Sequence, residues 1–396
     1  MKVLYLAHDL ADAAIRRRVR FLQEGGALVR LVGFSRVRNA GAHDGTSGRL
    51  IGITRNGRLV RRIVSTAAAV LLSGRWHDEM RAADIILARS LEMLVIAVLV
   101  RARLRLGKPI IYECLDIHRL MTGNSLPSLA MRRIEQRLLN SCALLIVSSP
   151  RFIDAYFEPA HRRLPPWILL ENKVLASELQ DGATSCQAGS PRPDGPPWRI
   201  GWFGIIRCRR SLLLLASLVR GSSGTIEVEI RGRPARDVIP EFDAVVAATP
   251  GMRFGGGYDR AIDLPGLYMD VHFNWTLDFY EAGLNSEWLL PNRLYEGSMF
   301  GAVPLALASV ETGRWFARQG CGVLLEEPLQ PVLDRFFAGL DAGSYQSLQA
   351  AVGRIDRMAL MESADSAAQF VDTLRGLHRR DAPHGQSAVL RHDKAA

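Results

Sequence analysis

The chain has 396 residues, more than one hydrophobic core normally organises, so two domains are expected. Hydrophobic residues make up 48% and charged residues 23%, an ordinary globular balance. No run of about 18 uninterrupted apolar residues occurs, which argues against a transmembrane helix. Five scattered cysteines without a C-x-x-C pair argue against a disulfide framework and a zinc site, and fit a reducing cytoplasm.

Positive charge is concentrated in the first half of the chain. Residues 1–177 contain 28 Lys and Arg against 14 Asp and Glu, whereas acidic residues exceed basic ones in the remainder. This excess favours an anionic partner, such as a phospholipid surface, a polyphosphate-linked substrate or nucleic acid. A solvated, Arg-rich surface would produce the same imbalance, so charge alone does not choose between them.

Short apolar runs alternate with helical patterns from the first residues onward. VLYLAH (3–8) is followed by a helical pattern that stops at a Gly-Gly pair, and then by ALVRLVGFSR (27–36). Residues 39–57 are predicted as loop. Further strands are predicted at ADIILARS, KPIIYECLD and CALLIVSS, and WILLENKV (167–174) closes the unit. This alternation predicts a parallel α/β sheet.

A linker and a second unit of similar size follow. Residues 178–197 consist largely of Gly, Ser, Pro and Asp, which is typical of a linker. A second α/β pattern begins at WRIGWFG and continues to about residue 380, and the polar tail 381–396 is predicted to be disordered. We therefore expect two Rossmann-like domains, 1–177 and 198–380, with ligands in the cleft at the carboxyl ends of their strands.

The segment RIGWFGIIRCRRS (199–211) has the composition of a phosphate-binding turn. A predicted strand ends in Gly-x-x-Gly, where Gly204 would let the backbone approach a phosphate. Arg207 and Arg209 would add charge, and the N-terminus of the following helix favours an anion. A tight turn with solvated arginines would have the same sequence, so this segment alone does not distinguish a phosphate-binding turn from an ordinary one.

The segment PNRLYEGSMFGAVPLA (291–306) contains a carboxylate just before a predicted strand. Pro291 can open a helix on which Arg293 and Glu296, three residues apart, share a face. A Glu in this position can accept both ribose hydroxyls of a nucleotide, while Arg293 pairs with the diphosphate. The alternative for this stretch alone is an ordinary salt bridge between the two residues on an exposed face.

Candidate acid–base residues follow a strand in the first unit. In IYECLDIHRL (111–120), Asp116 and His118 would face the cleft. Asp116 is the candidate base that would take a proton from a substrate hydroxyl, and His118 would orient or replace it. The alternative is that Asp116 caps the next helix.

Three further segments are candidates for binding. His8, Asp9 and Arg16 in HDLADAAIRRR (8–18) would bind the substrate that carries this hydroxyl, the acceptor, and a lipid pyrophosphate would meet Arg16, Arg17 and Arg18. The alternative is a helix cap followed by a solvated basic helix face. Asn285, in a predicted loop before the helix that Pro291 opens, would recognise sugar hydroxyls. The basic stretch 55–76 would either lie on an anionic membrane surface or form a buried helix with a basic end.

Taken together, GWFGIIRCRRS and LLPNRLYEGSMFGAVPL resemble the C-terminal domain of GT-B glycosyltransferases. With LAHDLADAAIRRRVRFLQEGGALVRLVGFSR, the chain more narrowly resembles the bacterial exopolysaccharide glycosyltransferases of the succinoglycan type (GT4-like), over residues 1 to about 340. The resemblance implies a nucleotide-sugar donor in the second domain, an acceptor in the first, and neither metal nor cofactor. The absence of any Asp-x-Asp motif agrees with it.

The resemblance also implies a specific reaction. The protein would transfer a hexose, with glucose favoured, from a UDP-sugar to a lipid-linked oligosaccharide. It would be a cytoplasmic enzyme bound peripherally to the inner membrane. Many retaining GT-B enzymes carry a second glutamate eight residues before the position of Glu296. Here that position is Trp288, with Glu287 one further back, so inversion with Asp116 as base is favoured.

Two competing functions remain open. A nucleotide-sugar 2-epimerase shares the GT-B architecture, but it needs no acceptor and leaves the basic first half unexplained. A nucleic-acid-binding protein would use that basic half. However, its arginines are not interleaved with aromatic residues and no nucleic-acid motif occurs, so no nucleic-acid partner is expected.

Overall fold

The computed structural model describes residues 1–35, 48–53, 59–180, 192 and 195–380. Its first domain is built on a parallel sheet of seven strands in the order β3-β2-β1-β4-β5-β6-β7. Both faces of this sheet are covered, which is why its strands read as continuous apolar runs. The strands are β1 (Lys2–Ala7), β2 (Leu28–Ser35), β3 (Arg49–Ile53), β4 (Ile85–Arg89), β5 (Ile110–Cys114), β6 (Leu144–Val147) and β7 (Trp167–Leu169).

Helices connect these strands and cover the sheet. The first begins at Asp12, whose side chain accepts from the Ala14 amide as an N-cap. The helices are α1 (Ala13–Glu24), α2 (Leu59–Leu71), α3 (His77–Ala82), α4 (Leu91–Arg103), α5 (Arg119–Thr122), α6 (Leu126–Leu139) and α7 (Glu158–Ala160), with a 3₁₀ turn at Ser73–Arg75 and a π-helical turn at Ile153–Phe157. A short strand, β8 (Val174–Leu175), and helix α8 (Ala176–Gln180) leave the domain.

The second domain repeats the same architecture with six parallel strands in the order β11-β10-β9-β12-β13-β14. Its strands are β9 (Trp198–Ile206), β10 (Ile226–Pro234), β11 (Met252–Phe254), β12 (Phe273–Trp275), β13 (Val303–Leu307) and β14 (Val323–Leu325). Its helices are α9 (Arg209–Gly221), α10 (Phe242–Ala247), α11 (Arg260–Met269), α12 (Asn285–Trp288), α13 (Asn292–Met299), α14 (Glu311–Arg318), α15 (Leu329–Ala338), α16 (Ala342–Gly353) and α17 (Arg357–Leu360).

The chain then returns to the first domain. Strand β15 (Met361–Glu362) pairs with β8, and helix α18 (Ala364–Arg380) packs on α1. Phe370 packs against Phe21, with ring centroids 5.7 Å apart and the rings tilted by 41°. Gly25 permits this approach, because a β-carbon there would lie 2.3 Å from the Ala367 carbonyl oxygen. The expected second domain, 198–380, is therefore corrected: its last helix buries its apolar stripe in the first domain's core.

Several other elements differ from the sequence prediction. Strand β3 lies within the predicted loop 39–57, and β9 continues past its Gly-x-x-Gly to Ile206. Most of the predicted linker (181–191 and 193–194) and the predicted tail 381–396 lie outside the described residues. Among the helices that the structure describes, none is long and apolar enough to cross a membrane.

Candidate active site

The strand order reverses in each sheet beside its first strand, and ligands of such sheets bind at these reversals. In the first domain, His8 follows β1 and Ser90 follows β4 at this point. In the second domain, Arg207 follows β9 and Asp278 follows β12. The candidate residues of both domains can therefore meet in one cleft.

Asp116 and Asn285 make this meeting direct. The Asn285 side-chain amide donates a hydrogen bond to Asp116 Oδ1, and its oxygen accepts from the Ile117 amide at 3.3 Å. Asn285, the first residue of α12, is buried. Two residues predicted separately, one as a base and one as a sugar-binding group, are thus in contact across the cleft.

The environment of Asp116 suits a base. Its carboxylate reaches solvent, yet protein atoms crowd it on most sides. Desolvation raises the pKa of Asp116 above its ordinary value, although the charges of Arg207 and His118 act in the opposite direction. Glu281 lies nearby, and burial followed by the charge of Asp116 raises its pKa as well.

Helix α5 is capped by His118. Its Nδ1 accepts from the Leu120 amide at 3.3 Å, so the alternative that Asp116 caps this helix is wrong. With Nδ1 as acceptor, the proton of a neutral imidazole resides on Nε2. His118 therefore caps α5 through Nδ1 and is also one of the residues that line the cavity described next.

A cavity of about 420 Å³ gathers the candidates of the first domain. Its lining includes His8, Asp116 and His118, together with Asn172 and Asn292 from the two sides of the cleft. The Asn172 amide donates to Asn292 Oδ1 at 2.5 Å and so bridges the domains.

The remaining acceptor candidates are placed differently. Asp9 is buried and closes the turn before α1, accepting from the Ala11 amide at 3.2 Å. Arg16 lies half-buried on α1 and is not among the residues that line the cavity. Of the expected acceptor group, only His8 reaches it.

The inward-facing arginines of α1 are Arg17 and Arg18. Arg17 Nη2 lies 2.6 Å from Glu178 Oε2, and its Nη1 lies 4.0 Å from Glu296 Oε1. Both arginines were predicted, with Arg16, to meet an acceptor pyrophosphate, and the helical period also places Arg18 on the same face as the apolar residues Ile15 and Leu22. Nothing in the periodicity pointed to Arg17.

Glu296 is buried between two arginines, with 3% of its surface exposed. Its Oε1 accepts from Arg260 Nη2 of α11 and faces Arg17 of α1. Burial, and then the charge of Arg17, lower the pKa of Arg260 to about 9. The alternative of an exposed Arg293–Glu296 salt bridge is therefore wrong. Sequence reasoning missed Arg260, because nothing local connects it to Glu296.

Arg293 and Arg207 instead share Asp278. The Nη2 atom of each lies 3.8 Å from Asp278 Oδ2, and Arg207 also lies over the Tyr280 ring, 4.6 Å from its centroid. Two guanidiniums that share one carboxylate have positive charge left for a ligand.

The structure places Gly204, but not Arg209, where the sequence predicted a phosphate-binding residue. Gly204 has a φ of +108°, which favours glycine, and the position of a β-carbon there is open. Arg209 is the first residue of α9 and pairs with Glu241 at the surface, with 64% of its side chain exposed. The structure does not bring Arg209 to the Arg207–Arg293 pair.

Trp288, at the position of a second glutamate, serves packing. It belongs to the apolar core of the first domain, and its carbonyl oxygen accepts from the Ser149 hydroxyl. Glu287 accepts from the Gly283 amide at 2.6 Å. Neither residue adds a carboxylate beside Glu296.

A comparison with known proteins identifies the family. No protein-family model matches the chain. The succinoglycan biosynthesis protein ExoL of Rhizobium meliloti (strain 1021) is 46% identical over 328 residues, which are 82% of this chain and 81% of ExoL. The chain belongs to the ExoL family. This confirms the expected membership among succinoglycan-type glycosyltransferases.

Solved structures show the fold of this ExoL relative. Anabaena Alr3699/HepE, solved in complex with UDP and glucose, has a TM-score of 0.63 at 14% identity, covering 95% of this chain and all of HepE. A glycosyltransferase from Rickettsia africae has a TM-score of 0.60 at 10% identity, covering 97% and 99%. The expected GT-B fold is confirmed.

The fold is shared by proteins of other activities. A putative UDP-N-acetylglucosamine 2-epimerase from Listeria monocytogenes has a TM-score of 0.60 at 11% identity, covering 98% of this chain and 99% of its own. The fold alone therefore does not separate transfer from epimerisation. Within the described ranges, no group of three or more His, Cys, Asp or Glu residues could hold a metal ion.

Proposed function

We propose that this ExoL-family glycosyltransferase moves a hexose, with glucose favoured, from a UDP-sugar to a lipid-linked oligosaccharide with inversion and without a metal. One observation carries the proposal. Asp116 of the first domain meets Asn285 of the second at a cavity mouth, while Arg207, Arg293 and Glu296 lie on the second-domain side.

The donor side supplies charge and a ribose ligand. Arg207 and Arg293 would neutralise the diphosphate as it leaves, a role in which fixed positive charge stabilises the transition state. Gly204 would let the backbone approach it. Glu296 would accept the ribose hydroxyls once Arg260 releases its carboxylate. Support for UDP comes from HepE, which was solved with UDP and glucose.

The acceptor side supplies the base. Asp116 would accept the proton of the acceptor hydroxyl as that oxygen attacks the anomeric carbon and the bond to the diphosphate breaks. Its raised pKa favours proton transfer near neutral pH. His118 and His8 would position the acceptor in the cavity. Trp288 supports inversion, because it leaves no second glutamate at that position for the opposite face of the sugar.

Epimerisation is the competing reaction, because the fold also occurs in a putative epimerase. It requires no acceptor, whereas this chain has a cavity beside Asp116, lined mainly by first-domain residues, that could hold one. Release of UDP that depends on an added glycan acceptor separates the two functions. Release or sugar conversion without an acceptor would favour the epimerase.

Nucleotide binding is the first test. UDP, GDP, ADP and TDP are compared by thermal shift with the wild-type protein, with Glu296→Gln, and with the surface control Glu241→Gln. A ligand at a hundredfold excess over its Kd stabilises the folded state by about 2.7 kcal/mol. We expect a shift with UDP that weakens in Glu296→Gln and persists in Glu241→Gln. No shift with any nucleotide would overturn the proposal.

We further propose that the protein works in the cytoplasm, bound peripherally to an anionic inner membrane. Support comes from α2 and the residue after it, where Val64, Leu71 and Leu72 expose 61%, 71% and 50% of their surfaces. Cosedimentation with anionic vesicles, but not with zwitterionic ones, is expected. Leu71→Glu combined with Leu72→Glu should abolish it while leaving UDP binding intact. Equal binding to both vesicle types would contradict an electrostatic contribution.

A further inference from the structure

A buried charge cluster lies beneath the first-domain cavity. Glu113, fully buried on β5, faces two guanidiniums. Arg18 Nε donates to Glu113 Oε1 at 2.8 Å, and Arg89 Nε lies 3.8 Å from Oε2. Tyr5 donates to Oε2 at 2.6 Å and accepts from Arg89 Nη1 at 3.0 Å.

The cluster carries one positive charge too many. Desolvation by burial raises the pKa of Tyr5 well above its usual value, so the phenol stays neutral. Two guanidiniums therefore share a single carboxylate. Since an uncompensated buried charge is strongly unfavourable, this arrangement calls for an anion.

Arg89 is the member that reaches the cavity. It is the last residue of β4, 2% exposed, and it lines the cavity together with His8 and Asp116. Its Nη2 atom is buried and makes no hydrogen bond to any described residue. Arg18 is turned away, toward the Leu170 carbonyl oxygen and the Phe21 ring.

Two further carboxylates lie near Arg89, and the charge of Asp12 acts on it, but both make their hydrogen bonds to other groups. Asp12 caps α1 through the Ala14 amide and lies 3.6 Å from His8 Nε2. Glu92 accepts from the Ser90 hydroxyl at 2.9 Å. Both line the cavity, but no ion pair joins either of them to Arg89 in the part of the chain that the structure describes.

The backbone beside Arg89 is strained. Ser90 has a φ of 86°, in the left-handed region that a serine rarely adopts, and it too lines the cavity. Such strain is concentrated at ligand-binding positions. It supports a binding role at the end of β4, at the point where the strand order reverses.

We propose that Arg89 is the anion-binding residue of the acceptor site, where its Nη2 donates to a phosphate or carboxylate oxygen of the acceptor. This rests on the proposed function and deepens it, because it makes the acceptor an anionic glycan. The anion would come either from the phosphate that links the glycan to its carrier or from an acidic substituent of the glycan itself.

The chain offers a matched control for the test. Arg89→Gln and Arg18→Gln each remove one guanidinium from the same carboxylate and leave Glu113 with the other guanidinium and Tyr5. Only Arg89 lines the cavity. Transfer is measured with three forms of one oligosaccharide: a diphosphate-linked alkyl glycan, the same alkyl glycan without phosphate, and the phosphate-free glycan bearing a carboxylate.

Arg89→Gln should raise KM for the favoured anionic acceptor by about tenfold or more, the loss expected for a hydrogen bond to a charged group. It should leave KM for the neutral acceptor and for the donor unchanged. Arg18→Gln should keep the preference for the anion. The acceptor form that the wild-type protein prefers identifies the source of the anion. Preference for the diphosphate form indicates the carrier linkage, and preference for the carboxylate form indicates a substituent of the glycan.

Equal losses with neutral and anionic acceptors, or the same loss in Arg18→Gln, would overturn the proposal. If Arg89→Gln does not fold, the wild-type protein decides. With UDP at saturation, either inorganic pyrophosphate or the carboxylate-bearing glycan must raise its thermal stability further, and by more than the neutral glycan does. No further stabilisation contradicts the role of Arg89, whereas absence of UDP binding contradicts the donor assignment instead.

Discussion

Two charge clusters of this protein each place two arginines around one glutamate, and they differ in net charge. At Glu113, Arg18 and Arg89 share a single carboxylate within one domain. At Glu296, Arg17 and Arg260 come from different domains, and Glu178 supplies a second carboxylate. The first cluster has an unused positive charge, whereas the second is neutral.

This difference suggests different uses. The neutral cluster joins the domains in the absence of a ligand, so the donor binding that we propose at Glu296 would compete with Arg260. The charged cluster is fixed in a core and gains a partner only when an anion enters the cavity. The nucleotide would thus have to displace Arg260 from Glu296 at the donor site. At the acceptor site, an anion would instead supply the partner that Arg89 lacks.

The largest expected effect is on stability. Glu113→Gln leaves two buried guanidiniums without a carboxylate, so we expect it to lower the free energy of unfolding by about 3–5 kcal/mol. Glu296→Gln should cost only about 1–2 kcal/mol, because Arg17 keeps Glu178 as its partner and the charge of Glu178 also acts on Arg260. Denaturant unfolding measures both, and equal losses would remove the distinction between the clusters.

A smaller effect is expected on donor affinity. Arg260→Gln removes the group that competes for Glu296, so UDP should bind about as tightly as before or a few-fold more tightly. Calorimetric titration with UDP gives the value, and Arg209→Gln, at a surface pair, is the control. A tenfold or greater loss of affinity would instead make Arg260 a ligand of the nucleotide.

The pH dependence of transfer should show the smallest effect. Because the pKa of Asp116 is raised, activity should fall as pH drops through that value and the base becomes protonated. Arg207 holds this pKa down, so Arg207→Gln should move the acid limb of kcat/KM to higher pH. Arg199→Gln, at an exposed pair with Glu227, should leave the limb in place. If the acid limb of kcat/KM does not move in Arg207→Gln, the group that titrates in this limb is not Asp116.

The sequence predicted what depends on local pattern. Apolar runs such as that of β1 and the capped start of α1 follow from periodicity, and Asp116 follows from its place after a strand. The Arg17–Glu296 and Asp116–Asn285 contacts could not be predicted, because residues far apart in the chain are brought together only by the packing of two domains. Arg209 was misjudged because its partner, Glu241, lies in another element.

The pairing of β8 with β15 has a mechanical consequence. The chain passes between the domains twice, and the two passages run side by side as a two-stranded ribbon. Val174 is anchored in one core and Leu175 in the other. Two adjacent connections between domains form a hinge that permits rotation about one axis and restricts twisting. We therefore expect the two domains to rotate relative to each other about this ribbon. Cleavage of one crossing segment would leave the domains connected only by the other and would remove the restriction on twisting.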